Sequence, residues 1–240
     1  MPTQQSNREA ILSSIRRALT IPAPRPGHHA GESKAQQEPQ FHSTLPIMGQ
    51  EPVSSWLPPV GETWEQWRDL FAANSVDLKS EFIVCADEDD LHAQLARLKS
   101  ENNWTKIGTH QGELMDEVAQ NLGLETMWIA EGYDPHELEK CSAGLTLCDA
   151  LVAQTGSVVM TATSAGGRVL SILPPHHVVI ARREQLLPDL PCAFELLESK
   201  YGANYPSLMG FITGPSRTGD IERILVLGAH GPKKLTILVV

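Results

Sequence analysis

The alternation of apolar and polar positions divides the chain into three stretches of different character. Residues 6–19 read as a short helix: Ile11, Leu12, Ile15 and Leu19 recur at helical spacing, and Ser6 with Glu9 fits a capping box. Arg16 and Arg17 stand near its C-terminal end, where the helix dipole favours cations. From about residue 20 to 60 the periodicity disappears. Prolines 22, 24, 26, 39, 46, 52, 58 and 59 fall there, almost half of the chain's 17, among Gly, Ser, Gln and His. That composition buries too little surface to offset its ordering entropy and predicts an extended tether, with Phe41, Leu45, Ile47 and Trp56 as local docking points.

From Gly61 a different rhythm begins. Trp64, Trp67, Leu70 and Phe71 mark an amphipathic helix, after which predicted strands at 82–86, 105–109 and 125–129 alternate with helices at 87–100, 112–122 and 135–140. Short apolar strands separated by helices predict an α/β fold with a mostly parallel, doubly wound sheet. Beyond residue 143 the pattern loosens. Runs at 145–153, 158–162, 177–181, 208–213, 223–227 and 235–240 predict further strands completing the same sheet, with a helix over about 190–201. The expected division is a helix and tether over 1–60 and an α/β domain over 61–240.

Composition narrows this picture. With 240 residues, 41% hydrophobic and 5% aromatic, the chain can bury a sizeable aliphatic core. A net charge of -10 argues against nucleic acid or an anionic membrane as partner, yet leaves room for a local basic pocket. Cys85, Cys141, Cys148 and Cys192 are far apart, with no C-x-x-C spacing, and make no recognisable zinc, haem or iron–sulfur set. They read as small core hydrophobes in a reducing compartment. No apolar run approaches the ~20 residues a membrane span needs, and residues 1–10 lack a signal-peptide core. A soluble cytoplasmic protein is expected.

Candidate chemistry gathers in the second half. The segment Gly214-Pro215-Ser216-Arg217-Thr218-Gly219-Asp220-Ile221-Glu222 follows an apolar run and joins glycine, hydroxyl, guanidinium and carboxylate groups, the parts of an anion clamp. Two further turns, Thr155-Gly156-Ser157 and Ser164 to Arg168, carry similar chemistry. Ligands of open α/β sheets collect at the carboxyl ends of strands, so all three turns are expected to face one crevice there. Arg168 reads as either a second contact to an anion or a solvated loop residue. Pro174 and Pro175 fix the approach to His176 and His177, candidates to donate a hydrogen bond or move a proton. Adjacent histidines on a strand point to opposite faces, which disfavours a metal site. Asp149, in an apolar run, ties down a turn or binds a substrate hydroxyl. Asp220 and Glu222 are candidates for base, helix-start carboxylate or partner of Arg217; His230 reads as part of a hairpin turn. His176, Asp220 and Glu222 are thus the catalytic candidates, and Thr155, Gly156, Ser157, Arg168, His176, His177, Gly214, Ser216, Arg217 and Thr218 the ligand-binding ones. G-x-S-x-G, G-x-G-x-x-G and P-loop patterns are absent.

Three blocks carry a resemblance: Ala153 to Ser157, Arg168 to His177, and Gly214 to Glu222 together with Leu227 to Pro232. In order and spacing they resemble the LUD-domain family, its lactate-utilisation C group in particular. The likeness covers about the C-terminal 100 residues closely, and the N-terminal helix and tether are also typical of that group. Ser157, Gly219 and Ala229 stand where Thr, Ala and Val are expected in relatives. The resemblance implies a fold like that of the ribose-5-phosphate isomerase, glucosamine-6-phosphate deaminase and CoA-transferase group. It also implies participation in oxidation of L-lactate to pyruvate beside iron–sulfur partner proteins. Since this chain lacks their cysteine clusters, it would act as a non-redox subunit, with no cofactor of its own and a small carboxylate or phosphate as ligand. The alternative is a stand-alone isomerase- or CoA-transferase-like enzyme using His176 or Asp220 on an anionic sugar or acyl substrate, with Glu222 as the transferase nucleophile.

Overall fold

The structure, a computed structural model, describes residues 12, 13, 16, 59–129, 133–202, 204–218, 226–228 and 230–240. The chain divides into two compact units, 1–50 and 51–240. In the first, Leu12, Ser13 and Arg16 are described, all helical. The Ser6–Glu9 capping box, the proline-rich stretch to residue 58, and both Asp220 and Glu222 lie outside the described residues.

In the second unit, helix starts follow side-chain chemistry. Thr63 caps α1 (Trp64–Leu78) in a reciprocal capping box with Gln66. Asp87 accepts from Asp90 N to open α2 (Glu88–Glu101), and Gly112 precedes α3 (Glu113–Leu122). These helices are interleaved with β1 (Glu81–Val84), β2 (Lys106–His110) and β3 (Glu125–Ile129). A short α4 (Pro135–Glu139) then leads to β4 (Ala143–Leu147). After it come β5 (Ala150–Val152), β6 (Ser157–Thr161), β7 (His176–Ala181), β8 (Leu186–Leu187), α5 (Leu190–Tyr201) and β9 (Met209–Ile212). The two-residue strands β10 (Arg217–Thr218) and β11 (Val226–Leu227) pair antiparallel, and β12 (Lys234–Val239) is the last element.

Six strands form a parallel sheet in the order β1-β12-β7-β4-β2-β3, as the alternating pattern predicts. Its central strands are buried on both faces, every residue of β7 and all of β12 after Lys234, which is why both are rich in Val, Ile and Leu. One face packs Val178, Ile180 and Leu238 against Leu91, Leu95 and Leu98 of α2 and Met115 and Val118 of α3. The other packs Val179, Ala181, Ile237 and Val239 against Phe71 of α1 and Val158 and Met160 of β6.

The later strands depart from the expected single sheet. A second sheet, β8-β5-β6-β9, stands apart from the first. The apolar run at 145–153 is two strands: the chain leaves the parallel sheet at Cys148, and Asp149 N already donates to Val159 O of the second sheet. The Asp149 carboxylate fixes that crossover, since Oδ1 accepts from Lys200 Nζ at 2.6 Å and from the Tyr201 hydroxyl at 2.7 Å. The segment 162–175 returns across the parallel sheet, so close that a Cβ on Gly144 would meet Leu170 O at 2.3 Å.

Candidate functional site

Two of the blocks singled out in the sequence converge on one cavity of about 390 Å³. His177 enters it from the start of β7, Thr213 to Ser216 from the turn after β9, and His230 to Pro232 from the turn before β12. Met160, Ile172 and Leu235 belong to its largely apolar wall. A mainly apolar hollow with a few convergent polar groups is the usual form of a small-molecule site. The expected place was the carboxyl end of the parallel strands. His177 and Leu235 instead open β7 and β12, so the cavity lies at the amino end of that sheet, beside the carboxyl end of β9 of the second. A cavity of about 500 Å³ does occupy the carboxyl end, lined by Glu88, Glu113, Glu117, Arg182 and Gln185, but none of the candidate residues reaches it.

His177 is 1% exposed. Its Nε2 is bonded to Thr146 Oγ1 at 2.9 Å, while Nδ1 has no partner. Burial, reinforced by the neighbouring His176, lowers its pKa to about 3, so the ring is neutral. His176 faces the other side of the sheet, as strand alternation requires. There it stacks edge-on against Trp104 and bonds Thr236 Oγ1 at 2.9 Å.

The remaining candidates brace the site or stand away from it. The Thr155-Gly156-Ser157 turn is tied to the 213–216 turn by a 2.7 Å contact between the Ser157 and Thr213 hydroxyls, and Thr155 donates to Ser157 Oγ. Gly156, at φ 64, abuts Asn74 and Leu78 of α1, and the Asn74 amide donates to Ala153 O and Gln154 O. A side chain at 156 would collide with α1, which is the structural reason for glycine there. Gly214, at φ 91, is pressed between Leu78 and the Arg217 guanidinium, whose side chain is exposed rather than part of the wall. Arg168 donates to Ser207 O, away from the cavity.

Asp149 is a tie rather than a hydroxyl binder. Burial alone would raise its pKa, but hydrogen bonds from Lys200, Ser164, Tyr201 and Thr161 outweigh that and hold it below the ordinary carboxylate range. The four cysteines are scattered: Cys85 and Cys148 belong to opposite cores, Cys141 packs beside Leu138, and Cys192 lies on α5. Burial pushes every one of these thiols up, Cys85 and Cys192 to about 11. They stay protonated and do not converge on a cluster site. Among the described residues no group of three or more His, Cys, Asp or Glu is set to hold a metal ion, and no helix is long and apolar enough to cross a membrane.

A parallel α/β sheet flanked by helices, with a second sheet closing a cavity at its amino end, defines the class. Residues 68–240 match the LUD domain family, and the chain belongs to it. The chain is 30% identical over 165 residues to a protein of Geobacillus sp. named lactate utilization protein C, covering 63% of this chain and 68% of that one. It is 36% identical over 135 residues to the protein of the same name from Anoxybacillus flavithermus, covering 52% and 60%. A solved DUF162 family protein from Deinococcus radiodurans superposes with a TM-score of 0.57 at 18% identity, over 75% of this chain and 99% of that one, which establishes the shared fold.

Proposed function

We propose that this protein is a non-redox component of L-lactate utilisation, acting beside iron–sulfur partner proteins and holding a small organic acid in the His177 cavity. The name shared by its relatives supports the pathway. The observation that carries the site is the convergence of His177, Ser216 and His230, drawn from two of the signature blocks, on one hollow. The dispersed, protonated cysteines support placing the electron carriers on other chains. In the cavity the apolar part of a small acid rests on Met160, Ile172 and Leu235, and its carboxylate takes hydrogen bonds from the Ser216 and Thr213 hydroxyls. The neutral His177 ring adds a polar contact without a net charge, which favours release as well as binding.

The test is a pull-down from lactate-grown cells followed by lactate-dependent electron transfer with and without this chain. Recovery of iron–sulfur proteins and a dependence on the added chain are expected. Ser216→Leu, which fills the cavity, should lower that activity at least ten-fold by displacing the ligand and its hydrogen bond. Turnover of lactate by the pure chain alone, or full activity of Ser216→Leu, would overturn the reading.

A further inference from the structure

Among the described residues four strands stand at sheet ends, β1 and β3 in the parallel sheet and β8 and β9 in the second. Proteins guard such edges with charge or brevity, because unpaired main-chain groups recruit other strands. β1 opens with Glu81, bound to Arg97, and β3 with Glu125, bound to Lys106. β8 is only two residues long. β9 has neither guard. It reads Met-Gly-Phe-Ile, and residues 201–216 around it contain no Asp, Glu, Lys, Arg or His, in a chain of net charge -10.

The register shows which main-chain groups of β9 are open. Ala162 N donates to Leu208 O, with Met160 opposite Gly210 and Val158 opposite Ile212. The even-numbered residues therefore direct their N–H and C=O groups to β6, and Met209 and Phe211 direct theirs outward. This window is closed at both ends. Before it, Arg168 donates to Ser207 O; after it, the chain turns at Gly214, φ 91. An apolar strip lies beside the window on the α5 side. Phe194 of α5 is 57% exposed with its ring 5.4 Å from that of Phe211, and Met209 is 42% exposed.

We infer that β9 pairs antiparallel with β9 of a second copy of this chain, joining the two second sheets into one. Two-fold pairing about Gly210 sets Met209 of each copy opposite Phe211 of the other, so that each such pair exchanges both its bonds. Any other two-fold register leaves Met209 or Phe211 unmatched within the strand. The axis stands perpendicular to the sheet, so the Phe194, Phe211 and Met209 strips of the two copies meet on the same face. Gly210 falls on the axis in a non-hydrogen-bonded pair, where strands approach most closely, and a Cβ there would meet nothing within 4 Å in the single chain. On the other face Gly210 and Ile212 line the His177 cavity, so the pairing sets two such cavities side by side. The inference does not depend on what those cavities hold.

Sedimentation velocity of the full chain from about 1 to about 100 µM should show monomer giving way to dimer, the strength expected of a small interface. Met209→Lys brings two like charges to the paired edge and should weaken association at least ten-fold. Phe194→Ser removes the centre of the strip and should weaken it about ten-fold. Both side chains are largely exposed, so urea midpoints of these variants should match the wild type. Trp128→Lys, on the edge strand β3, should leave association unchanged. Gly210→Cys checks the register. Two cysteines facing each other on the axis lie within disulfide range, so mild oxidation should give a covalent dimer, whereas Met209→Cys, one pair off the axis, should give none. A monomer at every concentration, wild-type association of Met209→Lys, or no covalent dimer from Gly210→Cys would sink the inference.

Discussion

Asp149 and the pair His176–His177 are all buried polar side chains at the ends of strands, yet they are satisfied in different ways. Asp149 is charged and meets its opposite, Lys200, with Tyr201 adding a second bond to the same oxygen, while Oδ2 has no partner. The histidines are uncharged, and each is held by one threonine hydroxyl while the other ring nitrogen has no partner. A matched charge at a sheet crossover is a fastening. A neutral ring beside a cavity carries no charge that the fold must pair. The difference separates residues that hold this fold from residues that the fold holds ready.

The comparison can be broken most directly at the fastening. Asp149→Ala should cost about 3 kcal/mol, because it removes a buried carboxylate and strands the Tyr201 hydroxyl and several neighbours; urea unfolding of the variant measures it. A loss below about 1 kcal/mol would place Asp149 among the dispensable polar groups. A second test is acid sensitivity. The folded pKa values of the histidines, about 4 and about 3, lie below the ordinary 6.5, so the native state keeps them neutral while the unfolded chain takes up protons. Stability is complete above about pH 6.5 and falls as pH drops towards 4, by roughly 1.4 kcal/mol per pH unit for each ring. Asp149, with its pKa lowered, loses its contribution only below the ordinary carboxylate value of 3.8, so it does not supply that slope. His177→Leu should reduce the slope by one ring's share between pH 6 and 4.5, read from urea midpoints across that range. The smallest effect is at the end of α1, where Lys79 is the C-cap at φ 64. Lys79→Gly should raise stability by about 0.5–1 kcal/mol, since glycine carries no Cβ penalty at a left-handed cap.

The same contrast explains how much could be read from residues alone. The first half was legible because each strand is short, apolar and followed by a capped helix, as at Asp87 and α2. The second sheet was not, because β4 and β5 are both buried and their residues form one apolar run, 143–153. Only Asp149 interrupts it, and a single carboxylate reads equally as a turn or a binding group until Lys200 and Tyr201 are seen beside it. His177, Gly214 and Ser216 were legible as separate candidates and His230 as a hairpin turn, whereas their meeting at the amino end of the sheet depends on a topology that no local pattern encodes. Arg217 and Arg168 were attractive by chemistry, but their guanidiniums are used against Gly214 and Ser207.

The order of the parallel sheet has a consequence for how the protein is made. β1 touches only β12 within that sheet, across a sequence separation of 155 residues between Glu81 and Thr236. While the chain emerges from the ribosome, the first strand must wait as an unpaired edge until residues 234–239 arrive and slide between it and β7. Closure is therefore a late, long-range step, of the kind that folds slowly and exposes a sticky edge meanwhile. A nascent chain stalled before Lys234 would lack the Leu235 side of the His177 cavity, since 176–177 and 234–235 come together only in that pairing. Binding competence is thus acquired only once residues 234–239 have paired with β7.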